Sequence, residues 1–411
     1  MESSLEAGPS VLQVHGPGID VAAERARTPG ATLAHHFNAA GAALPTASVV
    51  QAVVDHLRLE EQRGGYEAAH QVLDRVEAVY DDAARLIGAT PGEIALFDSA
   101  STGLRTIIDA LRLESRQRLL VSRSTYVSHA LHLMSLGREH DIELVIVPNG
   151  PSGAVDLTAL DAELAAGGPA VVCVAHIPTS SGLVEPVAEI GTLTKRYGAR
   201  YVLDATQSVG HVAVDVAAVG CDALVTTGRK FLRAPRGTGF AYVSNELTAS
   251  LAPTAPDVRG AVWTSSTSWE LKDSARRFET WEASIAGRVG LGVALAEALE
   301  RGGRPTETCL RAVADQLRAA LGQIPRVTVQ DPPASPSAIV TFTVDGQAPR
   351  RVNELLALRN VRTVSVPASH AQWDLGSRGV EAVVRASAHV YNDESDVAAL
   401  VAAVTEIAGE N

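Results

Sequence analysis

The sequence predicts an α/β protein: a large unit built on a mostly parallel, seven-stranded sheet, followed by a smaller α+β unit. Three observations lead there. Between about residue 45 and residue 245, segments of helical period alternate with short runs that are apolar throughout, the pattern of strands covered on both faces by crossover helices. A stretch rich in Trp, Ser and Thr, residues 253–280, then breaks the alternation. At 411 residues the chain is also too long for one ordinary core and fits roughly two domains.

In chain order, Met1 to Arg27 carries Glu2, Glu6 and Asp20 among scattered prolines and glycines. It lacks the basic start and apolar run of a signal peptide. It is expected to be a partly flexible part of an N-terminal arm, residues 1–35, of a cytoplasmic protein. The large unit is expected over residues 36–282. Its strand candidates are Ile94–Phe97, Arg118–Val121, Glu143–Val147, Ala170–Ala175, Tyr201–Leu203, Ala223–Thr226 and Gly239–Val243. Helical periods between them include Thr102–Leu113, Ser128–Arg138 and Pro186–Tyr197. Residues 253–280 read as a long loop and linker. The small unit, residues 283–411, combines helical patterns at Ala283–Arg301, Thr308–Leu321, Val352–Leu358 and Ser395–Ile407 with strand candidates Ile339–Phe342 and Val383–Ala386.

Composition narrows the function. Charged residues make up 20% and apolar ones 46%, an ordinary globular mix, and no run of eighteen apolar residues offers a membrane span. A net charge of −12 argues against nucleic acid or anionic membrane as the main partner. Cys173, Cys221 and Cys309 share no metal-ligand spacing and are odd in number, so neither zinc nor a disulfide framework is suggested. Cys173 lies in an apolar run typical of a buried strand.

Ligands of parallel sheets bind beyond the carboxyl ends of the strands, so the residues just after each strand carry the information. The sequence has three lysines. Lys195 sits near a helix end, where a cation suits the dipole, and Lys272 lies in a charged, solvated run. Lys230 instead follows the strand Ala223–Thr226 after a Thr-Gly turn. In a chain that otherwise uses arginine, this is a place for an amine that can be deprotonated and form a Schiff base; a surface cation beside a turn is the alternative. Asp204 ends the strand Tyr201–Leu203, with Gln207 close behind. A carboxylate there can pair with a pyridinium nitrogen and keep it protonated, or simply cap the next turn. Asp98-Ser99-Ala100-Ser101-Thr102-Gly103 opens a helix after the strand Ile94–Phe97, where free N–H groups and the dipole suit a phosphate. Thr227 and Arg229 can add donors to the same phosphate.

These pieces, Ser99-Ala100-Ser101-Thr102, Asp204-Ala205-Thr206-Gln207, Thr227-Gly228-Arg229-Lys230 and Arg385-Ala386-Ser387-Ala388-His389, resemble the class V aminotransferase and cysteine-desulfurase group of fold-type I pyridoxal-5′-phosphate (PLP) enzymes. The resemblance runs from His36-Phe37-Asn38 to the C-terminal helix. It implies PLP as cofactor, with Ser101, Thr102, Thr227 and Arg229 on its phosphate. By the same resemblance Asp204 meets the ring nitrogen, Gln207 and Thr179 lie near the ring hydroxyl, and Tyr126 stacks on the ring. Lys230 would hold the cofactor, Arg385 would hold a substrate α-carboxylate, and Asn38, Ala39 and Tyr66 would join it around an amino-acid substrate. Members of this fold usually build their sites across a homodimer.

Within the group, Gly64-Gly65-Tyr66-Glu67-Ala68-Ala69, Trp281-Glu282-Ala283, Ala286-Gly287-Arg288-Val289-Gly290 and Pro336-Ser337-Ala338-Ile339 are similar to the hercynylcysteine sulfoxide lyases of ergothioneine biosynthesis. Related enzymes of lincosamide antibiotic pathways stand in the same neighbourhood. The chain has Trp281-Glu282 where many members have Gly-Thr, and Thr179 where desulfurases often have asparagine. The resemblance implies carbon–sulfur β-elimination from a cysteine S-conjugate. Transamination, epimerisation and decarboxylation with oxidative deamination are the alternative fates, and a PLP fold used only for binding is the non-enzymatic one. A true desulfurase needs a mobile nucleophilic cysteine in the small domain, and Ser365-Val366-Pro367-Ala368-Ser369-His370-Ala371-Gln372 holds none.

Overall fold

The computed structural model describes residues 18–333 and 335–410. The helices that position the site are α1 (Val21–Ala26), α2 (Ala47–Arg63), α3 (Gly65–Gln71), α4 (Leu73–Ile87), α5 (Ala100–Ala110), α6 (Val127–His140), α7 (Leu157–Ala165), α8 (Val187–Tyr197), α9 (Ile285–Arg301), α10 (Gly303–Leu321), α11 (Pro349–Leu358) and α12 (Glu394–Gly409). Besides a two-residue parallel pair, His35–His36 with Val361–Arg362, the strands are β1 (Ile94–Phe97), β2 (Arg118–Val121), β3 (Glu143–Ile146), β4 (Ala170–Ala175), β5 (Arg200–Asp204), β6 (Ala223–Thr227), β7 (Gly239–Val243), β8 (Ala261–Ser265), β9 (Ser268–Leu271), β10 (Val327–Val329), β11 (Ile339–Val344), β12 (Val364–Pro367) and β13 (Ala382–Ser387).

The large sheet has seven strands in the order β1-β7-β6-β5-β4-β2-β3. Only β7 runs against its neighbours; the pairs β6–β5, β5–β4, β4–β2 and β2–β3 are parallel. The fully apolar strands are there because both faces are covered: β4, β6 and β7 are buried at every residue. One face packs under α4, α7, α8 and α9, the other under α5 and α6. In α4 the buried residues Val76, Val79, Tyr80, Ala83, Ala84 and Ile87 fall at helical spacing, and Gly88, at φ 72°, ends the helix in the left-handed conformation.

The second sheet is four-stranded and antiparallel, in the order β10-β11-β13-β12. It packs with α10, α11 and α12 around a second core that also takes in Phe37. α9, which follows the boundary expected at residue 283, packs its Leu291, Ala294, Leu295 and Ala298 into the large-sheet core.

One expectation is corrected. Residues 253–280 are not only loop: β8 and β9 form an antiparallel hairpin, followed by a 3-10 turn at Ala275–Phe278. Most hairpin residues on both faces are exposed, which is why no alternation marked them. The N-terminal arm falls outside the described residues up to Pro17; beyond that point it is built into the fold. Asp20 caps α1, and Glu24 and Thr28 are buried against Arg233. Among the described residues no helix is long and apolar enough to cross a membrane.

Candidate active site

The carboxyl ends of five strands of the large sheet open on one cleft of about 640 Å³. The turn after β1 brings Ser99, Ala100 and Ser101, the turn after β2 brings Ser124 and Tyr126, and β4 with its following loop brings Ala175, Ile177 and Thr179. Asp204 ends β5, and Thr227 with Arg229 and Lys230 closes β6. This is the ligand side of an open parallel sheet.

Lys230 is 7% exposed. Its backbone is fixed because Gly228 allows a tight approach: a side chain there would stand 2.3 Å from Thr238 Oγ1, while Gly228 N–H donates to Thr238 O at 2.8 Å and Ala43 N–H to Arg229 O at 3.0 Å. Burial, then the Arg229 charge, push the amine down to about 7, against the pull of Asp204. A lysine so placed exists in good part as the free base near neutral pH and in that form can add to an aldehyde. The Tyr126 ring centroid lies 5.7 Å from Nζ.

Asp204 is buried, and one of its oxygens accepts from Thr206 N–H at 3.0 Å. It therefore caps the following turn and faces the cleft at once. Ser99 caps α5 by accepting from Thr102 N–H at 3.2 Å, leaving Ser101 on the cleft at the positive end of the helix. Thr102 lies elsewhere: its hydroxyl pairs with Ser99 Oγ at 3.0 Å and it lines the neighbouring cavity with Glu282 and Arg288. Thr227 Oγ1 donates to Thr238 O at 3.2 Å. Gln207 Nε2 reaches Ala40 O at 3.1 Å and Thr179 Oγ1 at 3.4 Å.

Arg385, on β13, brings the second sheet against Thr179 on the cleft wall. It is buried, its Nη1 donates to Thr179 and its Nη2 to Asn38 Oδ1 at 3.1 Å. Its Nε has no partner, and no carboxylate pairs with it among the described residues. Burial pushes it down to about 10. Ala39 is buried beside Asn38. Tyr66, on α3, stands 79% exposed and outside the cleft.

Thr206 Oγ1, Gln207 Oε1 and His129 Nε2 are buried on the cleft without hydrogen-bond partners. Buried polar atoms are normally satisfied, so this wall fits a polar ligand. A free-base lysine, a carboxylate for a ring nitrogen, a helix N-terminus and an arginine for a phosphate together fit PLP. His129, Ser124 and Thr206 were not singled out from the sequence. Thr206 sits inside the quoted Asp204–Gln207 motif, and Ser124 and His129 follow β2 on the ligand side, the same positional signal that marked Lys230. Burial and the neighbouring His132 hold the His129 imidazole near 4, with Asp204 pulling the other way.

Fold and cleft together define an enzyme of the PLP-dependent fold-type I class. The profile of the aminotransferase class-V family matches residues 35–400. The chain belongs to that family, and PLP is its cofactor. A probable cysteine desulfurase of Methanothermobacter thermautotrophicus is 26% identical over 385 residues, 91% of this chain and 95% of that protein. The apo cysteine desulfurase of Thermococcus onnurineus superposes with a TM-score of 0.87 at 22% identity, over 94% of this chain and 97% of the other. The cystine C–S lyase C-DES, solved with its product cysteine persulfide, superposes with a TM-score of 0.83 at 19% identity, over 92% and 99%. The two structural matches show a shared fold.

Proposed function

We propose that the chain is a PLP-dependent carbon–sulfur β-lyase. Its substrate would be a cysteine S-conjugate of ergothioneine or lincosamide type, cleaved to a thiol-type product, pyruvate and ammonia. The observation that carries this reading is the placement of the three thiols. Cys173 and Cys221 are core residues pushed up to about 12 by burial, and Cys309 is buried in α10 and pushed up to about 11. None lines the cleft, so no protein thiolate is poised to take sulfur from the substrate. Sulfur would then leave with its own substituent. The desulfurase and C–S lyase relatives support cysteine C–S chemistry at such a site.

When bound, PLP supplies an electron sink for negative charge at the substrate Cα. Lys230 would take the Cα proton once the substrate amine has displaced it, a role its lowered basicity suits. Asp204 would hold the proton on the ring nitrogen. Arg385 would exchange the neutral oxygens of Thr179 and Asn38 for the α-carboxylate, gaining a charged, two-pronged partner. Ser101, Thr227 and Arg229 would hold the phosphate, with Thr102 supporting the helix start, while Tyr126 and Gln207 flank the ring.

The working form is taken to be a cytoplasmic homodimer of two-unit chains. Exposed Tyr66 and the exposed hairpin residues Val262, Trp263 and Trp269 would be covered by the second copy, because a lone two-stranded hairpin is marginal in water. Products from a panel of cysteine S-conjugates, identified by mass spectrometry, test the reaction. Pyruvate, ammonia and a thiol in equal amounts are expected. Carbon dioxide release, an amine-transfer product or inverted substrate would assign the alternative fates, and a protein with no visible cofactor absorbance would not be a working PLP enzyme.

A further inference from the structure

One buried acid at the cleft wall is not used by the chemistry above. Glu185 closes the loop after β4 and is 2% exposed. Its Oε1 accepts from the Ser124 hydroxyl, and its Oε2 accepts from Val155 N–H at 2.8 Å. Its own N–H donates to His176 O at 2.9 Å. Among the described residues no lysine, arginine or histidine side chain pairs with it. The titratable groups around it are neutral or acidic. Tyr201 on β5 packs nearby, and burial holds the His176 imidazole near 4. From the second unit comes Asp374, anchored by Ser180 Oγ at 2.5 Å and Arg378 at 3.0 Å. A buried carboxyl without a countercharge favours its neutral form. Burial pushes Glu185 up to about 7, with Asp374 adding to it against the bonds from Ser124 and Val155.

Ser124 faces the other way as well, because it lines the cleft with Tyr126, Thr179 and Lys230. A hydroxyl has one proton and two lone pairs. Ionised Glu185 must accept that proton, which turns Ser124 away from the cleft. Protonated Glu185 can donate to Ser124 Oγ, which frees the serine proton to point at a ligand.

We propose that Glu185 and Ser124 form a proton relay that protonates the sulfur group as it departs from the substrate. The relay rests on the lyase reading. As the Cβ–S bond breaks, its electron pair goes to sulfur. Sulfur, or the oxygen of a sulfoxide, takes the Ser124 proton, and Ser124 takes the Glu185 proton. Glu185 is left as a carboxylate and regains a proton from water, while Lys230 releases to water the one it took from Cα.

Infrared difference spectra of the apo-protein test the proton store without turnover. The parent should show a protonated-carboxyl band that fades as pH rises through about 7. Glu185→Gln should lack it, and Ser124→Ala should keep it. In the loaded enzyme both variants should retain the cofactor absorbance yet lose about 100-fold or more in kcat, the scale of general acid catalysis. The defect should shrink for conjugates whose departing thiol is already acidic and needs no proton. Glu185→Gln should also lose the alkaline fall in kcat. A parent without the band, or variants within about twofold of the parent in kcat on the least acidic thiols, would overturn the relay alone. A parent that releases no thiol and pyruvate from any conjugate would overturn the lyase reading and take the sulfur target with it.

Discussion

Buried charge is handled in two opposite ways in this molecule. Around the N-terminal helix, Glu24 faces Arg27, Arg233 and Arg301. Burial raises its carboxyl, but the Arg27 hydrogen bond and the three guanidinium charges outweigh that and hold it below the usual carboxylate range. Arg233 is further satisfied by Leu44 O at 2.8 Å and by Thr28. At the cleft and behind its wall, Lys230 has Arg229, Asp204 and Arg385 as charged neighbours but closes no ion pair among the described residues, Arg385 meets only neutral oxygens, and Glu185 has no cation. The first group is paired and serves the fold. The second is unpaired, and the same desolvation that would be a liability elsewhere leaves an easily deprotonated amine, an anion receptor and an easily protonated acid at one site.

That contrast can be broken most severely at Lys230. Lys230→Ala should lower turnover by at least ~10³-fold, with thermal stability unchanged or higher, since a buried unpaired amine is removed. Borohydride reduction and digestion of the parent should leave the cofactor on the Lys230 peptide; label on Lys195 or Lys272 would refute the assignment. Glu24→Gln should behave in the reverse manner. Stranding Arg233 and Arg301 should cost about 3–5 kcal/mol in denaturant unfolding, while kcat of the folded fraction stays close to that of the parent.

Arg385→Lys keeps a cation but loses the two-pronged geometry. Its KM for amino-acid substrates should rise about 10–100-fold, the loss of a charged hydrogen bond, with little change in cofactor absorbance. Amidated substrates should be poor for the parent and barely worse for the variant; equal discrimination by both proteins would remove Arg385 from carboxylate binding.

The smallest effect is on stability against pH. The lowered Glu24 carboxyl contributes stability at neutral pH that is lost as pH falls through its folded value. Glu185 is raised to about 7, so the unfolded chain gives up this proton first, and stability is lost as pH rises from the ordinary carboxylate range to about 7. Glu185→Gln should therefore gain roughly 1 kcal/mol or more over the parent above that range. Parallel stability–pH curves for the two proteins would contradict the raised value.

The parts legible in the sequence are those that local pattern controls. The seven large-sheet strands could be read because most are buried on both faces and apolar along nearly their whole length, and the edge strand β3, though half-buried or exposed throughout, still carries the apolar run 144–146. Asp204 and Lys230 stand out because each comes at or just after the end of such a run. β12 was missed: it is short, carries Ser365 and ends in Pro367. The β8–β9 hairpin was missed because its exposed faces do not alternate. Ser124 and Glu185 meet 61 residues apart in sequence, through the parallel order of β2 and β4 rather than through any motif. The placement of Tyr66 outside the cleft of its own chain is likewise a fact of packing that its Gly-Gly-Tyr context does not carry.

The hairpin has one more consequence. Trp263, Trp269 and Trp281 are each at least half exposed, and the fourth tryptophan, Trp373, packs partly buried against the large-sheet core. The chain thus carries its own optical gauge of what touches it. As a lone chain, most of its indole emission should be red-shifted and open to collisional quenchers. Anything that settles on the hairpin should shift that emission to the blue and shield it, with no label added and without disturbing the cleft.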